Sequence, residues 1–341
     1  MTVTVIRPGL NSSFQDSGRH GHQHLGVPVG GAMDLRAHQL ANLLAGNTKE
    51  VATLEITLVG PELRFDAPAC IALTGGDLSP ALNGEPIPMG RPLVVRAGDT
   101  LSFGARRLGV RTYLAWHGGI DLPHVLGSQS TYLRGGLGGF QGRALRKGDV
   151  LKLKASLPNH ALDALANDLA DTYIYLPSTL VNNPRERLRV VRGPHTRLFN
   201  EAAIESLLNS DYRISNQSDR MGYRLEGPAL PLRENQQLLS EGATFGSIQV
   251  PADGAPIVLM ADRQSIGGYP KIAHVITVDL PQLAQSMPGD TIRFEEVELP
   301  VAYQLDMQRE RALMDLKDAL TPIRERIWDV TGHMSGGSVA V

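Results

Sequence analysis

Hydrophobic residues along this chain of 341 residues come mostly in short runs, many of them alternating with polar residues or rich in β-branched side chains. Glycine and proline clusters, drawn from 36 Gly and 22 Pro, separate these runs and favour turns. Many short strands between turns are typical of barrels or sandwiches, whereas long parallel sheets would need a helix after most strands. The pattern therefore predicts a mainly β fold with a few helices. Representative runs are TVTVI, VATLEITLV, CIALTG, YLAW, DVLKLK, RLRVVRG, PIVLM and HVITV.

Four segments have a pattern that favours helices. Asp34 is a suitable N-cap for a helix that ends near Gly46. Residues 159–173 form either a helix or a linker, and residues 194–210 have apolar side chains at helical spacing. A long, charged, amphipathic helix is predicted from about residue 303 to residue 330, and residues 332–341 are expected to form a frayed tail.

A weak internal repeat divides the chain into two parts. Residues 110–151 and residues 256–292 each contain a β run, a Gly-Gly turn, a variable stretch and then Gly-Asp before another strand. Such patterns recur in any β protein, but the shared order favours two related lobes. We expect these units in chain order: an N-terminal lobe at 1–155, a linker at 156–185, a C-terminal lobe at 186–300, and a helical extension with a flexible tail at 301–341.

Charge and composition exclude several classes of partner. With 33 Lys and Arg against 35 Asp and Glu, the net charge of −2 offers no basic field to nucleic acid or an anionic membrane. No apolar run approaches the roughly 18–20 residues that span a bilayer, and the N-terminus lacks the pattern of a signal peptide. The single cysteine, Cys70, cannot form an intramolecular disulfide. These features predict a cytoplasmic protein with neither nucleic-acid nor membrane partners.

The first segment with candidate chemistry is FQDSGR at residues 14–19, which leads through a glycine-rich stretch to the helix at Asp34. Gln15, Asp16 and Arg19 supply an amide, a carboxylate and a guanidinium that can bind a substrate. Backbone N–H groups near a helix start can also hold an anion. The alternative is an Asp–Arg pair that only fixes the loop.

The second candidate segment is LGSQSTYLRGGLGGFQGR at residues 126–143. Gly135 and Gly136 allow the backbone to approach a ligand closely. Arg134 and Arg143 are each able to bind a carboxylate in bidentate fashion. This segment is therefore a candidate for substrate binding.

The fourth segment, ADRQSIGGYPK at residues 261–271, follows the strongly apolar run PIVLM. An acid or a lysine there can move protons, and a glutamine can bind a carbonyl or ureido group. The alternative is an ordinary surface turn. In the third segment, SNQSDRMGYRLEG at residues 215–227, Asp219, Arg220 and Gly222 resemble Asp16, Gly18 and Arg19 in composition but not in order, and the alternative there is a polar hairpin loop. The candidates in the fourth segment are the catalytic Asp262, Lys271 and Tyr269, and the substrate-binding Gln264, Gly267 and Gly268.

Motifs for metals, nucleotides and nucleophiles are absent or incomplete. His20, His22 and His24 alternate and would share the face of a strand, but no fourth ligand is evident, so no metal site is predicted. There is no GxxxxGK[ST] loop, no GxSxG elbow and no HExxH, and the GGLGG run lacks the helix of a dinucleotide site. The chain therefore shows no nucleotide site of its own.

Four long segments together resemble one family, which includes allophanate hydrolase subunit 2, urea amidolyase-related proteins and the C subunit of 5-oxoprolinase. The likeness extends from about residue 3 to residue 297. It implies two cyclophilin-like β-barrel lobes, and we expect the first, second and fourth segments to line a cleft between them. The segments are FQDSGRHGHQHLGVPVGGAMD, YLAWHGGIDLPHVLGSQSTYLRGGLGGFQGRALRKGD, SDRMGYRLEG and ADRQSIGGYPKIAHVITVDLPQLAQSMPGD.

The resemblance implies a component of a lactam hydrolase, namely the C subunit of an ATP-dependent 5-oxoprolinase that opens 5-oxoproline to L-glutamate together with subunits B and A. ATP would be handled through that heteromeric complex. Two alternatives stay open. One is a carboxyltransferase that moves a carboxyl group from carboxybiotin to a urea-like acceptor, with biotin carried on another chain. The other is a non-catalytic regulatory partner of a kinase inhibitor.

Overall fold

A computed structural model describes residues 1–181, 184–234 and 238–331. Within these ranges the fold is mainly β, as the sequence predicts, and its strands lie in two lobes. The strands of the N lobe are β1 Thr2–Arg7, β2 Asn11–Gln15, β3 Thr53–Thr57, β4 Glu62–Phe65, β5 Ala69–Asp77, β6 Pro80–Leu82, β7 Glu85–Pro86, β8 Pro92–Val95, β9 Thr100–Phe103, β10 Leu108–Trp116 and β11 Val150–Lys152.

The N lobe consists of two sheets, a six-stranded one in the order β11-β1-β4-β9-β6-β7 and a five-stranded one in the order β2-β3-β10-β5-β8. Side chains of both sheets meet in one core, for example Phe65 from the first and Trp116 from the second. A helix, α1 at Leu35–Leu44, covers the other face of β5 and β10, so these two nine-residue strands are almost entirely buried. The Asp34 side chain accepts the Ala37 N–H at 2.9 Å, which confirms the predicted cap.

The C lobe is built on one eight-stranded sheet that nearly closes into a barrel. Its order is β20-β13-β14-β17-β16-β19-β12-β21, and the two end strands follow each other in the chain with one residue between them. A separate ribbon pairs β15 with β18. The strands are β12 Leu188–Arg192, β13 Tyr212–Ile214, β14 Gly222–Glu226, β15 Glu241–Gly242, β16 Ser247–Gln249, β17 Ile257–Leu259, β18 Ile266–Gly267, β19 Lys271–Val275, β20 Thr291–Ile292 and β21 Phe294–Glu296.

The remaining helices refine the sequence-based expectations. Residues 159–173 contain a helix, α2 at Leu162–Asp171, and α3 at Glu201–Asn209 occupies the segment with helical spacing. The single long helix expected at 303–330 is wrong, because the chain forms α5 at Leu299–Ala319 and α6 at Thr321–Thr331. Pro322 lacks the N–H that a continuous helix needs. A short helix, α4 at Leu280–Ala284, follows β19, and the predicted frayed tail at 332–341 lies outside the described residues.

Helices α5 and α6 pack on the outside of both lobes. Leu313 and Leu316 of α5 join the apolar cluster under α1, and Ile327 of α6 packs with Cys70 and Leu165. The first part of α5 contacts residues 277–279 of the C lobe. The extension therefore bridges the two lobes on its side of the molecule.

Candidate active site in the interlobe cleft

The two lobes meet around Arg220, whose guanidinium is buried and bonds to both of them. Its Nε and NH2 atoms donate to the two carboxylate oxygens of Asp262, at 2.8 and 3.0 Å, within the C lobe. Its NH1 atom pairs with Glu55 of β3 in the N lobe, and NH2 also donates to the Gly31 carbonyl at 2.6 Å. One buried cation therefore binds a carboxylate from each lobe.

Glu55 is 2% exposed and has partners at both carboxylate oxygens. Oε2 accepts the Tyr113 hydroxyl at 2.7 Å and the Met33 N–H at 2.9 Å, while Oε1 faces Arg220 and lies 3.8 Å from Nε of Arg111. Burial alone would raise the pKa of Glu55, but Arg220 and Arg111 outweigh it and hold that pKa below its usual value. Two arginines and two carboxylates leave this junction without net charge, which limits the cost of burying it.

The first and second candidate segments fix each other inside the N lobe. The Asp16 carboxylate accepts the hydroxyls of Ser128 and Ser130 and the Gln129 N–H, the last at 2.6 Å. Arg19 is fully buried and donates from NH2 to the Ser130 carbonyl at 2.9 Å. Burial would raise the pKa of Asp16, but these hydrogen bonds outweigh it and lower the pKa. Asp16 and Arg19 thus hold two loops together.

A cavity of about 250 Å³ lies in the cleft, beside this junction. Arg134 of the N lobe forms one side of it and donates to Asp219 of the C lobe at 2.8 Å. Two arginines, Arg134 and Arg224, against one aspartate give the cavity an excess positive charge, which suits a small anion. The C lobe supplies the other walls, which are Gln217, Asp219, Met221, Gly222, Arg224, Gln249, Ile257, Leu259, Gln264 and Tyr269.

Gln249 of β16 brings an unused hydrogen-bond donor to this cavity. Its side chain is buried, and Nε2 has no hydrogen-bond partner among the described residues, while Oε1 accepts from Gln264 at a long 3.4 Å. A buried donor of this kind is costly unless something pairs with it, and a carbonyl oxygen of a ligand would do so. A Cβ atom at Gly267 would lie only 2.8 Å from Nε2, so glycine there leaves the amide its room.

The structure brings some sequence-predicted residues to the cavity and not others. Arg134, Gln264 and Tyr269 line it; Gly135 and Gly136 follow Arg134 in a turn. Three further candidates, Gln15, Asp16 and Arg19, are buried within the N lobe. The other candidates lie around the C-lobe wall: Gly267 against Gln249, Gly268 beside the Leu238 carbonyl, Asp262 on Arg220, and Lys271 on Glu241.

Sequence reasoning missed Glu55, Arg220, Arg224 and Gln249. Arg220 and Arg224 lie in the third segment, where the likeness of Asp219 and Arg220 to the first segment was noted but no site residue was assigned. Glu55 and Gln249 each interrupt an apolar strand, LEIT and SIQV, at a position that the structure buries. A polar residue within an otherwise apolar strand was the available signal, because burying it requires a partner.

Other features of the described residues point away from this cleft. A larger cavity of about 900 Å³ lies between α2, α5 and α6, but its walls are mostly hydrocarbon. Among the described residues, no group of three His, Cys, Asp or Glu side chains is arranged to hold a metal ion. No described helix is both long enough and apolar enough to cross a membrane. The cleft cavity therefore remains the best candidate for a small polar substrate.

Comparisons with known proteins agree on the type of domain. Residues 25–296 match the family described as carboxyltransferase domain, subdomain A and B. The chain is 38% identical to the C subunit of 5-oxoprolinase from Escherichia coli over 91% of this chain and 96% of that protein. It is 36% identical to the C subunit of 5-oxoprolinase from Haemophilus influenzae over 90% of this chain and 95% of the relative.

A solved structure is similar as well. The crystal structure of urea amidolyase from K. lactis superimposes with a TM-score of 0.83 at 33% identity. The match covers 92% of this chain but only 20% of that protein, so the chain corresponds to one part of a much longer enzyme.

The buried Asp16 carboxylate gives a prediction about stability and pH. The pKa of Asp16 is lower in the folded state than in the unfolded chain, where it is about 3.9. The carboxylate therefore stabilises the fold at pH values above the unfolded pKa, and this stabilisation is lost as the pH falls through the folded pKa. We expect Asp16→Asn to lower the free energy of unfolding by about 2 kcal/mol at pH 7, with a smaller difference at pH 3. Urea unfolding at both pH values measures this. Asp315→Asn, on the exposed side of α5, is the control, and an equal loss at both pH values would contradict the prediction.

Proposed function

Because this chain belongs to the family of carboxyltransferase domains with subdomains A and B, we propose that it is the C subunit of an ATP-dependent 5-oxoprolinase. The observation that carries the proposal is the similarity over nearly the whole length of two relatives that are themselves C subunits of 5-oxoprolinase. The reaction opens 5-oxoproline to L-glutamate. Water adds to the lactam carbonyl carbon, the C–N bond breaks, and the departing nitrogen gains a proton.

The cleft cavity has groups that match this substrate. 5-Oxoproline carries a carboxylate, which Arg134 and Arg224 would bind, and a lactam carbonyl, which the unpaired Nε2 of Gln249 would bind. The amide of Gln264 and the phenol of Tyr269 lie on the same wall and would bind the ring N–H or the incoming water. A cavity of about 250 Å³ has room for a five-membered ring and one water molecule.

Proton transfer is assigned to Asp262, Lys271 and Tyr269, with different structural support for each. Tyr269 is half exposed and lines the cavity. Asp262 has both oxygens on Arg220, so it would act only if that pair loosened. Lys271 is buried one strand away from Gln249, with its ammonium on Glu241. The roles of Gln15, Asp16 and Arg19 in this proposal are to hold the loops that carry Arg134 and Gly31.

Partners and ATP complete the proposal. A role as the C subunit implies a complex with subunits A and B. We assign ATP hydrolysis to that complex, because the sequence has no GxxxxGK[ST] phosphate-binding loop. A cytoplasmic setting agrees with the single cysteine, Cys70, which is buried as a free thiol.

A second candidate function is carboxyl transfer from carboxybiotin to a urea-like acceptor. The similarity to part of the K. lactis urea amidolyase favours it. The amide groups of Gln249 and Gln264 would also suit a ureido ring, and biotin would bring the carboxyl group from another chain. The two reactions differ in their products, so one assay separates them.

The test is to reconstitute the chain with candidate subunits A and B from the same genome and to measure glutamate released from 5-oxoproline. We expect release that requires ATP and all three chains, with less than a tenth of the rate when this chain is omitted. Equal rates with and without this chain would contradict the proposal. Transfer of carboxyl from carboxybiotin to urea without glutamate release would favour the second candidate.

Two glycine variants test whether the cavity binds the substrate. In Gly267→Ala the new methyl group would lie 2.8 Å from Nε2 of Gln249 and displace that flexible amide, so we expect KM for 5-oxoproline to rise about tenfold. Gly242→Ala is the matched control on the paired strand, because a Cβ atom there meets nothing within 4 Å. An unchanged KM in Gly267→Ala, with melting temperatures alike, would place the substrate elsewhere.

A further inference from the structure

Three ionisable side chains of the C lobe, none of them in the cavity wall itself, form a chain of contacts. The Lys271 ammonium lies 2.5 Å from Oε1 of Glu241. The same carboxylate oxygen is 3.4 Å from Nε2 of His195. The contacts form a closed cycle, because Nδ1 of His195 also accepts the backbone N–H of Lys271 at 3.1 Å. His195 lies in the turn after β12. The sequence analysis assigned no role to this residue.

The hydrogen bond to Nδ1 fixes the protonation of His195. A backbone N–H can only donate, so Nδ1 carries no proton and the neutral ring has its proton on Nε2, facing Glu241. Burial lowers the pKa of His195; Glu241 opposes this shift, while Lys271 and Arg197 add to it. A neutral His195 therefore has its Nε2 proton on the side of Glu241, at a nitrogen–oxygen distance of 3.4 Å.

The three side chains differ in their access to solvent. The Lys271 side chain is 6% exposed, whereas that of Glu241 is 46% exposed, so the carboxylate connects a buried ammonium to water. Among the described residues, Glu241 is the acidic partner of Lys271. Arg197 is a further positive charge, and it acts on His195. A buried ammonium depends strongly on such a carboxylate, because burial by itself disfavours the charged form.

The pairing of the strands places this chain of contacts against the cavity wall. Lys271 of β19 lies directly opposite Gln249 of β16. Glu241 of β15 lies directly opposite Gly267 of β18, the glycine whose Cβ position would touch the Gln249 amide. The ion pair and the amide of Gln249 are therefore carried by neighbouring strands.

We propose that Glu241, oriented by His195, is the positioning residue that sets the proton on Lys271 and exchanges that proton with solvent. In the structure Nζ of Lys271 is paired with Oε1 of Glu241. When the ammonium passes a proton to Glu241, which releases it to water, the free amine becomes a base beside Gln249. The inference takes its substrate from the proposed function, whereas the contacts among Lys271, Glu241 and His195 do not depend on that function.

The first test reads the proton on Lys271 directly in the isolated full-length chain. NMR of the labelled lysine side chains, assigned with Lys271→Met, follows the loss of the ammonium proton with rising pH. We expect Glu241→Gln to move that midpoint at least one pH unit lower, because the buried ammonium loses its carboxylate. The matched control is Asp121→Asn beside Lys152, an exposed pair at 50% and 72%, where we expect less than half a unit.

The second test reads the same proton in turnover by the complex with subunits A and B. We expect Lys271→Met to lower kcat by about 10²–10⁴-fold, and Glu241→Gln to shift the acid limb of the pH–rate profile to lower pH. His195→Gln keeps a donor near the position of Nε2 and should shift the profile less than His195→Leu, which removes it.

The outcomes separate the two proposals. An unchanged Lys271 midpoint in Glu241→Gln would overturn the inference, whatever the activity. The inference would also be overturned if Glu241→Gln lowered the melting temperature but left the pH–rate profile unchanged. The Lys271–Glu241 pair would then only stabilise the β15–β18 ribbon. A shifted midpoint together with a wild-type complex that releases no glutamate would support the role of Glu241 and reject the proposed reaction.

Discussion

The buried guanidinium of Arg220 is the constraint on which the cleft depends. A charge taken out of water needs nearby opposite charge and filled hydrogen bonds. Arg220 obtains them from Asp262 in its own lobe and from Glu55 and the Gly31 carbonyl in the other lobe. Because these partners belong to different lobes, satisfying all of them constrains how the two lobes are placed relative to each other.

This placement creates the cavity as a consequence. Asp219 and Met221 flank Arg220 in the chain, so fixing Arg220 also fixes one wall and brings Asp219 within 2.8 Å of Arg134. A buried ion pair often contributes little net stability compared with apolar residues of equal volume. Its value here is positional: it holds the donors of a small polar site in register across two lobes, as preorganised binding requires.

The sequence predicted the general fold better than the site. Short apolar runs between glycine clusters indicated the β lobes, and Asp34 indicated the cap of α1, because both signals are local. Arg134, Gln264 and Tyr269 were proposed because they lie near Gly-Gly turns, where chains approach ligands, and they line the cleft cavity. Glu55, Arg220 and Gln249 were missed because their roles depend on partners far away in sequence: Glu55 and Arg220 meet over 165 positions. Pro322 indicated a break between α5 and α6, but the amphipathic pattern of residues 303–330 favoured one continuous helix.

A double-mutant cycle on Glu55 and Arg220 tests this account most directly, with free energies of unfolding measured in urea. Each single variant, Glu55→Gln and Arg220→Gln, should lose about 3–5 kcal/mol, because each leaves a buried charge without its partner. The double variant should lose at least about 1 kcal/mol less than the two losses combined. The exposed cross-lobe pair Arg134–Asp219 is the reference and should couple by less than about 1 kcal/mol. Additive losses for Glu55 and Arg220, or a coupling no larger than that of the exposed pair, would contradict the claim that this ion pair fixes the lobes.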